Sequence, residues 1–215
     1  EQLTIYIEGD GLAVLHNQPS PDPTPPTPLT ATGLQLALQH PENNAVYLAR
    51  PCQYVMAEHQ HHCEPSVWTS GRFSSQVIQA TSVAVDNLKK RYRAQDLQLI
   101  GFSGGGAVAA LVAATRDDVK QLITVAGNLD HRYWTNLHNI TPLTGSLNAV
   151  DFHPQLKAIP QYHLVGENDS IIPPAMIKKT LCTFSPSPSI KIAILQDFDH
   201  NCCWAEQWPS LLSSL

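Results

Sequence analysis

No block of like charge interrupts this 215-residue chain, in which 13 Lys and Arg against 18 Asp and Glu leave a formal net charge of −5. A phosphate-binding face needs clustered basic residues, so nucleic acid is excluded as the main partner. No apolar run approaches the ~18 residues that cross a bilayer, so no transmembrane segment is expected. No signal peptide is legible either; the chain opens at Glu1 and reaches an apolar run at Leu3, which reads as a mature or trimmed product. No Gly-Lys-Ser/Thr completes a phosphate loop of the Walker type, and Gly104, Gly106 and Ala109 fit a dinucleotide fingerprint only loosely. The five cysteines contain no Cys-x-x-Cys pair, which removes zinc ribbons and thioredoxin-type motifs. They are also too few for a disulfide scaffold. Reduced thiols throughout, or one small loop closed between Cys52 and Cys63, both remain open. Cys202 and Cys203 are neighbours, and a bond between neighbours is strained, so they read as two small buried hydrophobes.

What is present is a rhythm. Short apolar runs at 3–7, 45–49, 97–102, 121–126, 161–166 and 190–195 read as strands. Helical patterns lie between them at 31–40, 74–92, 104–115, 174–182 and 204–214. In the second helix Val77, Ile78, Thr81, Val85, Leu88 and Tyr92 fall near one face, with Ser74 or Ser75 placed to cap it. Strands alternating with helices predict an α/β domain spanning 1–215: a doubly wound, mostly parallel sheet of about six strands. "PSPDPTPPTP" (19–28) is too rich in proline for a helix and reads as an extended surface loop. Residues 127–160 form a short insertion between two strands.

"LQLIGFSGGGAVAALVAA" (97–114) carries the chemistry. Ligands of a doubly wound sheet bind at the carboxyl ends of its strands. Gly101-Phe102-Ser103-Gly104-Gly105 fits G-x-S-x-G, set after a strand and before a helix, the context that makes the motif a nucleophile turn. Glycine is expected at 101 and 105 because the backbone there passes too close for a side chain. A serine hydroxyl needs a base to take its proton, and a carboxylate to hold that base in the right tautomer. In this fold class the order is serine, acid, histidine, each beyond a later strand. "GENDSIIPP", after the fifth strand, offers Asp169, with Glu167 as rival. "QDFDHNCCW", after the sixth, offers His200. Asp199 adjoins His200 too closely to orient its ring and is expected to face solvent.

An oxyanion needs two backbone N–H donors. Gly104 directly follows the nucleophile and supplies one. The N–H of Asp10, in the loop "IEGDG" (7–11) after the first strand, is the candidate for the other. Carboxylates oppose an oxyanion, so Glu8 and Asp10 are expected to turn theirs away, or to meet a cationic part of the substrate.

These residues resemble the α/β-hydrolase superfamily: "GFSGGG", "GENDSIIPP" and "DFDHNC" match its nucleophile, acid and histidine loops in order. More narrowly, "YIEGDG", "YLARPCQYV" and "TVAGNLDHRYWT" are similar to a group of little-characterised bacterial α/β-hydrolases, some exported or lipid-anchored. The resemblance implies a reduced sheet without the superfamily's first two strands, and a minimal cap in 127–160. It implies a serine hydrolase that cleaves carboxylic esters through an acyl-enzyme, with Ser103, His200 and Asp169 catalytic and no cofactor. The same triad would also serve an acyltransferase, thioesterase or peptidase, and a binding module without chemistry is the rival of a different class. A bacterial exported or periplasmic location follows from the resemblance, the cytoplasm being the alternative, and Cys52–Cys63 pairing suits export. The cluster Glu58, His59, His61, His62 and Cys63 matches no familiar metal-ligand spacing and reads as a polar loop.

Overall fold

The computed structural model describes residues 1–12, 14–15, 18–19, 26–55, 63–182 and 187–215. Its first strand, β1 (Gln2–Ile7), is followed by a small antiparallel hairpin of β2 (Val14–Leu15) and β3 (Gln18–Pro19). Then come α1 (Thr32–Leu38), β4 (Ala45–Leu48), α2 (Ser75–Tyr92), β5 (Asp96–Phe102) and α3 (Gly104–Ala113). β6 (Val119–Val125), α4 (His131–Leu137), α5 (His153–Leu156), β7 (Gln161–Gly166), α6 (Pro174–Cys182), β8 (Ile190–Leu195) and α7 (Trp204–Ser213) complete the order. Six strands form one parallel sheet in the order β4-β1-β5-β6-β7-β8. The chain winds from β1 outward to β4, then crosses back to β5 on the other side of β1. The carboxyl ends of β1 and β5 therefore border the point where the winding reverses, which is where open sheets open a crevice.

Period-two alternation sorts side chains onto the sheet's two faces. Leu3, Ile5, Ile7, Leu97, Leu99 and Leu122 pack with residues of α2, α3 and α6. Tyr6, Ile100, Phe102, Ile123, Val125 and Leu164 pack with Leu36 of α1 and with Trp204 and Trp208 of α7. All ten residues of α3 are buried, so this helix is central and not amphipathic. On α2 the expected stripe holds for Val77, Ile78, Thr81 and Val85, with Ser74 Oγ accepting from the Val77 N–H. Tyr92 departs from it: it is the last residue of the helix and is half exposed.

The hairpin was not legible, since strands of two residues carry no periodicity. Most of the proline-dense stretch lies outside the described residues, as does the cluster Glu58, His59, His61 and His62. Between β6 and β7 the chain forms α4, a 3-10 turn at Ala149–Phe152 and α5.

The glycines around Ser103 are required, each by a different neighbour. A Cβ on Gly101 would stand 2.2 Å from the Gly105 carbonyl oxygen, across the turn itself. A Cβ on Gly105 would stand 2.3 Å from the Ile7 oxygen and 2.4 Å from the Glu8 oxygen, so there the constraint is the end of β1 and not the serine. Backbone atoms cannot swing aside as a side chain can. Gly105→Ala is therefore expected to destabilise the protein by about 3 kcal/mol, the upper end of overpacking costs. At this chain length that lowers the melting temperature by roughly 6–12 °C. An unchanged thermal midpoint would show that α3 can retreat from β1.

Candidate active site

Ser103 sits between β5 and α3 with φ 51° and ψ −120°, a left-handed conformation that non-glycine residues seldom adopt. The turn is held from both sides: the Ser103 N–H donates to the Val125 carbonyl, and the Ser103 carbonyl accepts from the N–H groups of Gly106 and Asn128. This backbone aims the hydroxyl outward at the carboxyl edge of the sheet.

Two later loops meet it there. His200 follows β8, and its Nε2 lies 3.1 Å from Ser103 Oγ. Its Nδ1 lies 2.9 Å from Asp169 Oδ2 in the loop after β7. The fully buried Asp169 side chain uses its other oxygen to accept the N–H groups of Ile171 and Ile172, both at 2.8 Å. A carboxylate so held is acceptor-only, which places the imidazole proton on Nδ1 and leaves Nε2 free to accept from the serine hydroxyl. The Trp204 indole N–H donates to the carbonyls of Asp199 and His200 and anchors the histidine loop to the start of α7. Glu167, the rival acid, is exposed. Asp199 is exposed too; Oδ1 accepts the N–H groups of Asn201 and Cys202, and these bonds hold its carboxyl below the ordinary carboxylate range.

The loop after β1 lies against the serine turn. A Cβ on Gly9 would reach the Phe102 ring at 3.0 Å, and one on Gly104 would meet Asp10 Oδ1 at 2.0 Å. Among the described residues, neither the Asp10 N–H nor the Gly104 N–H donates to another protein group. Gly104 is the first residue of α3, whose N–H has no partner within the helix.

The acidic side chains of this loop depart from expectation. The Glu8 carboxylate is buried and accepts from the N–H groups of Gly9, Gly33 and Leu34 and from the Tyr47 hydroxyl, tying the loop to the start of α1. The Asp10 carboxylate does not turn away from the serine turn; it rests on Gly104. Both its oxygens are taken, by Arg50 at 3.0 Å and Arg72 at 2.7 Å. Burial would raise its pKa, but the two guanidinium groups outweigh this and lower it. Neither carboxylate is free for a cationic substrate. The two arginines had no sequence signal: they lie 22 positions apart, outside the regular elements, and only the fold brings them to one carboxylate.

Cys52 and Cys63 are bonded and pack on Trp68. Closing a loop across 11 positions stabilises by about 2–3 kcal/mol on the chain-entropy account. Reduction, or Cys52→Ser with Cys63→Ser, is expected to lower the melting temperature by roughly 4–12 °C. A midpoint indifferent to reductant would remove that contribution. Cys202 and Cys203 correct the expectation of two buried thiols: they are bonded to each other, and Cys202 is exposed. The reason is position, since both fall in the loop before α7 and not on a buried face. Cys182, at the end of α6, is free and exposed.

A parallel sheet with a serine elbow after β5, an acid after β7 and a histidine after β8 defines an α/β-hydrolase. Residues 24–200 match the family described as Serine hydrolase (FSH1), and the chain belongs to that family. No curated protein matches the sequence. Among solved structures, the Pyrococcus furiosus esterase Pf2001 aligns over 100% of this chain and 81% of its own at 12% identity, with a TM-score of 0.65. Est1E from Butyrivibrio proteoclasticus aligns over 99% and 85% at 14% identity, with a TM-score of 0.64. Two further alignments are partial: this chain spans 60% of Pf2001 in another crystal form (65% of this chain, 16% identity, TM-score 0.52) and 25% of a puromycin hydrolase (66% of this chain, 16% identity, TM-score 0.52). These likenesses are of fold. No helix among the described residues is long and apolar enough to cross a membrane.

Proposed function

We propose that this protein hydrolyses carboxylic esters of small molecules through an acyl-enzyme. Ser103 attacks the ester carbonyl while His200 takes its proton, and Asp169 orients the ring and balances the imidazolium that forms. The tetrahedral intermediate places its oxyanion between the N–H groups of Gly104 and Asp10. His200 returns the proton to the leaving alcohol. Water, activated by the same imidazole, then releases the acid. The observation that carries this reading is the unbroken chain of hydrogen bonds from Ser103 through His200 to Asp169. Residues 127–160 serve as a minimal cap over the crevice.

The test is a panel of esters of rising acyl length, set against thioesters, peptide amides and acyl transfer to added alcohols, with Ser103→Ala as blank. Ester turnover exceeding the others by at least an order of magnitude supports the reading. Preference for a thioester, an amide or an acyl acceptor assigns the triad to those reactions instead. A fluorophosphonate that labels the wild type but not Ser103→Ala separates an enzyme from a binding module; failure to label the wild type sinks the enzyme reading. The Cys52–Cys63 bond supports an exported or periplasmic location, because cytosolic thiols are kept reduced.

A further inference from the structure

An acidic residue beside a forming oxyanion is an electrostatic liability, and the loop after β1 carries two. Glu8 is offset by its four donors. Asp10 is the closer problem, since its carboxylate rests on Gly104. Two nearly buried guanidinium groups face it, one to each oxygen. Both are themselves anchored. Arg50 donates to the Arg72 carbonyl at 2.5 Å and lies over the Phe73 ring. Arg72 donates through Nε to the Thr69 carbonyl at 2.7 Å. Gln53 accepts from the Arg50 N–H and donates to the Gly9 carbonyl, which closes the frame onto the loop itself.

We propose that Arg50 and Arg72 are positioning residues that cancel the charge of Asp10, so that an oxyanion can form beside an acidic loop. Neither needs to touch substrate. With one arginine replaced by a neutral group, the carboxylate would keep its place against Gly104 and repel the intermediate. The ground state, being neutral at the carbonyl, would feel this far less. The effect therefore belongs in kcat and not in KM. A residue that merely held the loop would behave differently in one respect: removing the carboxylate as well would not repair its loss.

The proposal rests on the assignment of Gly104 and Asp10 as oxyanion donors, and the experiment separates the two. Ester turnover is measured for wild type, Ser103→Ala, Arg72→Gln and the double variant Asp10→Asn/Arg72→Gln, with circular dichroism and thermal unfolding to confirm folding. Glutamine keeps a donor near the carboxylate and loses the charge, while asparagine keeps the Asp10 N–H and side-chain shape. Arg72→Gln is expected to lower kcat by about 10²-fold, comparable to loss of one oxyanion donor, with KM within about threefold. Adding Asp10→Asn is expected to recover at least about tenfold of that loss, because the stranded charge is gone. A double variant no faster than Arg72→Gln overturns the proposal, as does a loss that falls on KM. Should Arg72→Gln fail to fold, Arg72→Lys carries the test: with the charge retained, kcat stays within about tenfold of wild type, and a hundredfold drop in the folded variant overturns the idea. Absence of any Ser103-dependent turnover in the wild type would instead defeat the hydrolase reading beneath it.

Discussion

Ser103→Ala is expected to lower kcat for a carboxylic ester by about 10⁵–10⁶-fold while leaving the fold intact. In the proposed mechanism the hydroxyl is the only group of that side chain that does chemistry. No covalent intermediate can form without it, and what remains is the small acceleration that binding and oxyanion stabilisation give to attack by water. Position 103 already holds a side chain at φ 51°, so alanine introduces no new backbone demand. His200→Ala should cost about as much, because its Nε2 is the hydrogen-bond partner of the Ser103 hydroxyl. The two losses should not add: the double variant is expected within about tenfold of either single one, since serine and histidine act as a unit. Steady-state kinetics and intact-protein mass after fluorophosphonate treatment provide the measurements. If folded Ser103→Ala kept more than a hundredth of the wild-type rate, hydrolysis would have to occur elsewhere on the protein.

Asp169→Asn is expected to lower kcat by about 10³–10⁴-fold with little loss of stability. The two carboxylate oxygens of Asp169 are committed to different partners. Oδ1 accepts two backbone N–H groups, from Ile171 and Ile172. An asparagine must keep its carbonyl oxygen there, because an NH₂ group facing two donors would leave three polar groups unsatisfied. Its Nδ2 then faces His200 Nδ1, where the carboxylate oxygen stood 2.9 Å away. A donor at that point requires Nδ1 to accept, which moves the ring proton to Nε2. The imidazole would present N–H to the serine and could not take its proton. Asp169→Ala frees the tautomer but loses both the orientation and the loop's anchor, so it should be less stable than Asp169→Asn. Equal rates for wild type and Asp169→Asn would show that the acid is supplied by another group, Glu167 being nearest in sequence.

Much of the fold was readable because it depends on local pattern. The strand at 97–102 and the helix from 104 follow from apolar runs broken by glycine, and the structure places β5 at Asp96–Phe102 and α3 at Gly104–Ala113. Ser103, Asp169 and His200 could be nominated because each stands just past a strand, and strands of a parallel sheet end on one edge. The paired two-residue strands β2 and β3 gave no such signal. Nor did the surroundings of Asp10: a charge in a glycine-rich loop carries no mark of whether it will meet solvent, substrate or arginine. The state of Cys202 and Cys203 was misread for the same reason, since burial is decided by what packs above a loop.

Taken alone, the order of residues determined the alternation of strand and helix, the sharp turn at the serine, and which side chains would arrive at the sheet's carboxyl edge. Those features arise from hydrophobic periodicity and from the steric needs of a few glycines, which act over a handful of neighbouring positions. Tertiary structure alone decided that Arg50 and Arg72 converge on Asp10, that Glu8 ties its loop to α1, and that one oxygen of Asp169 is spent on backbone donors. Electrostatic partners act across space and not along the chain, so they exist only once packing has brought distant segments within a few ångströms and removed the water between them.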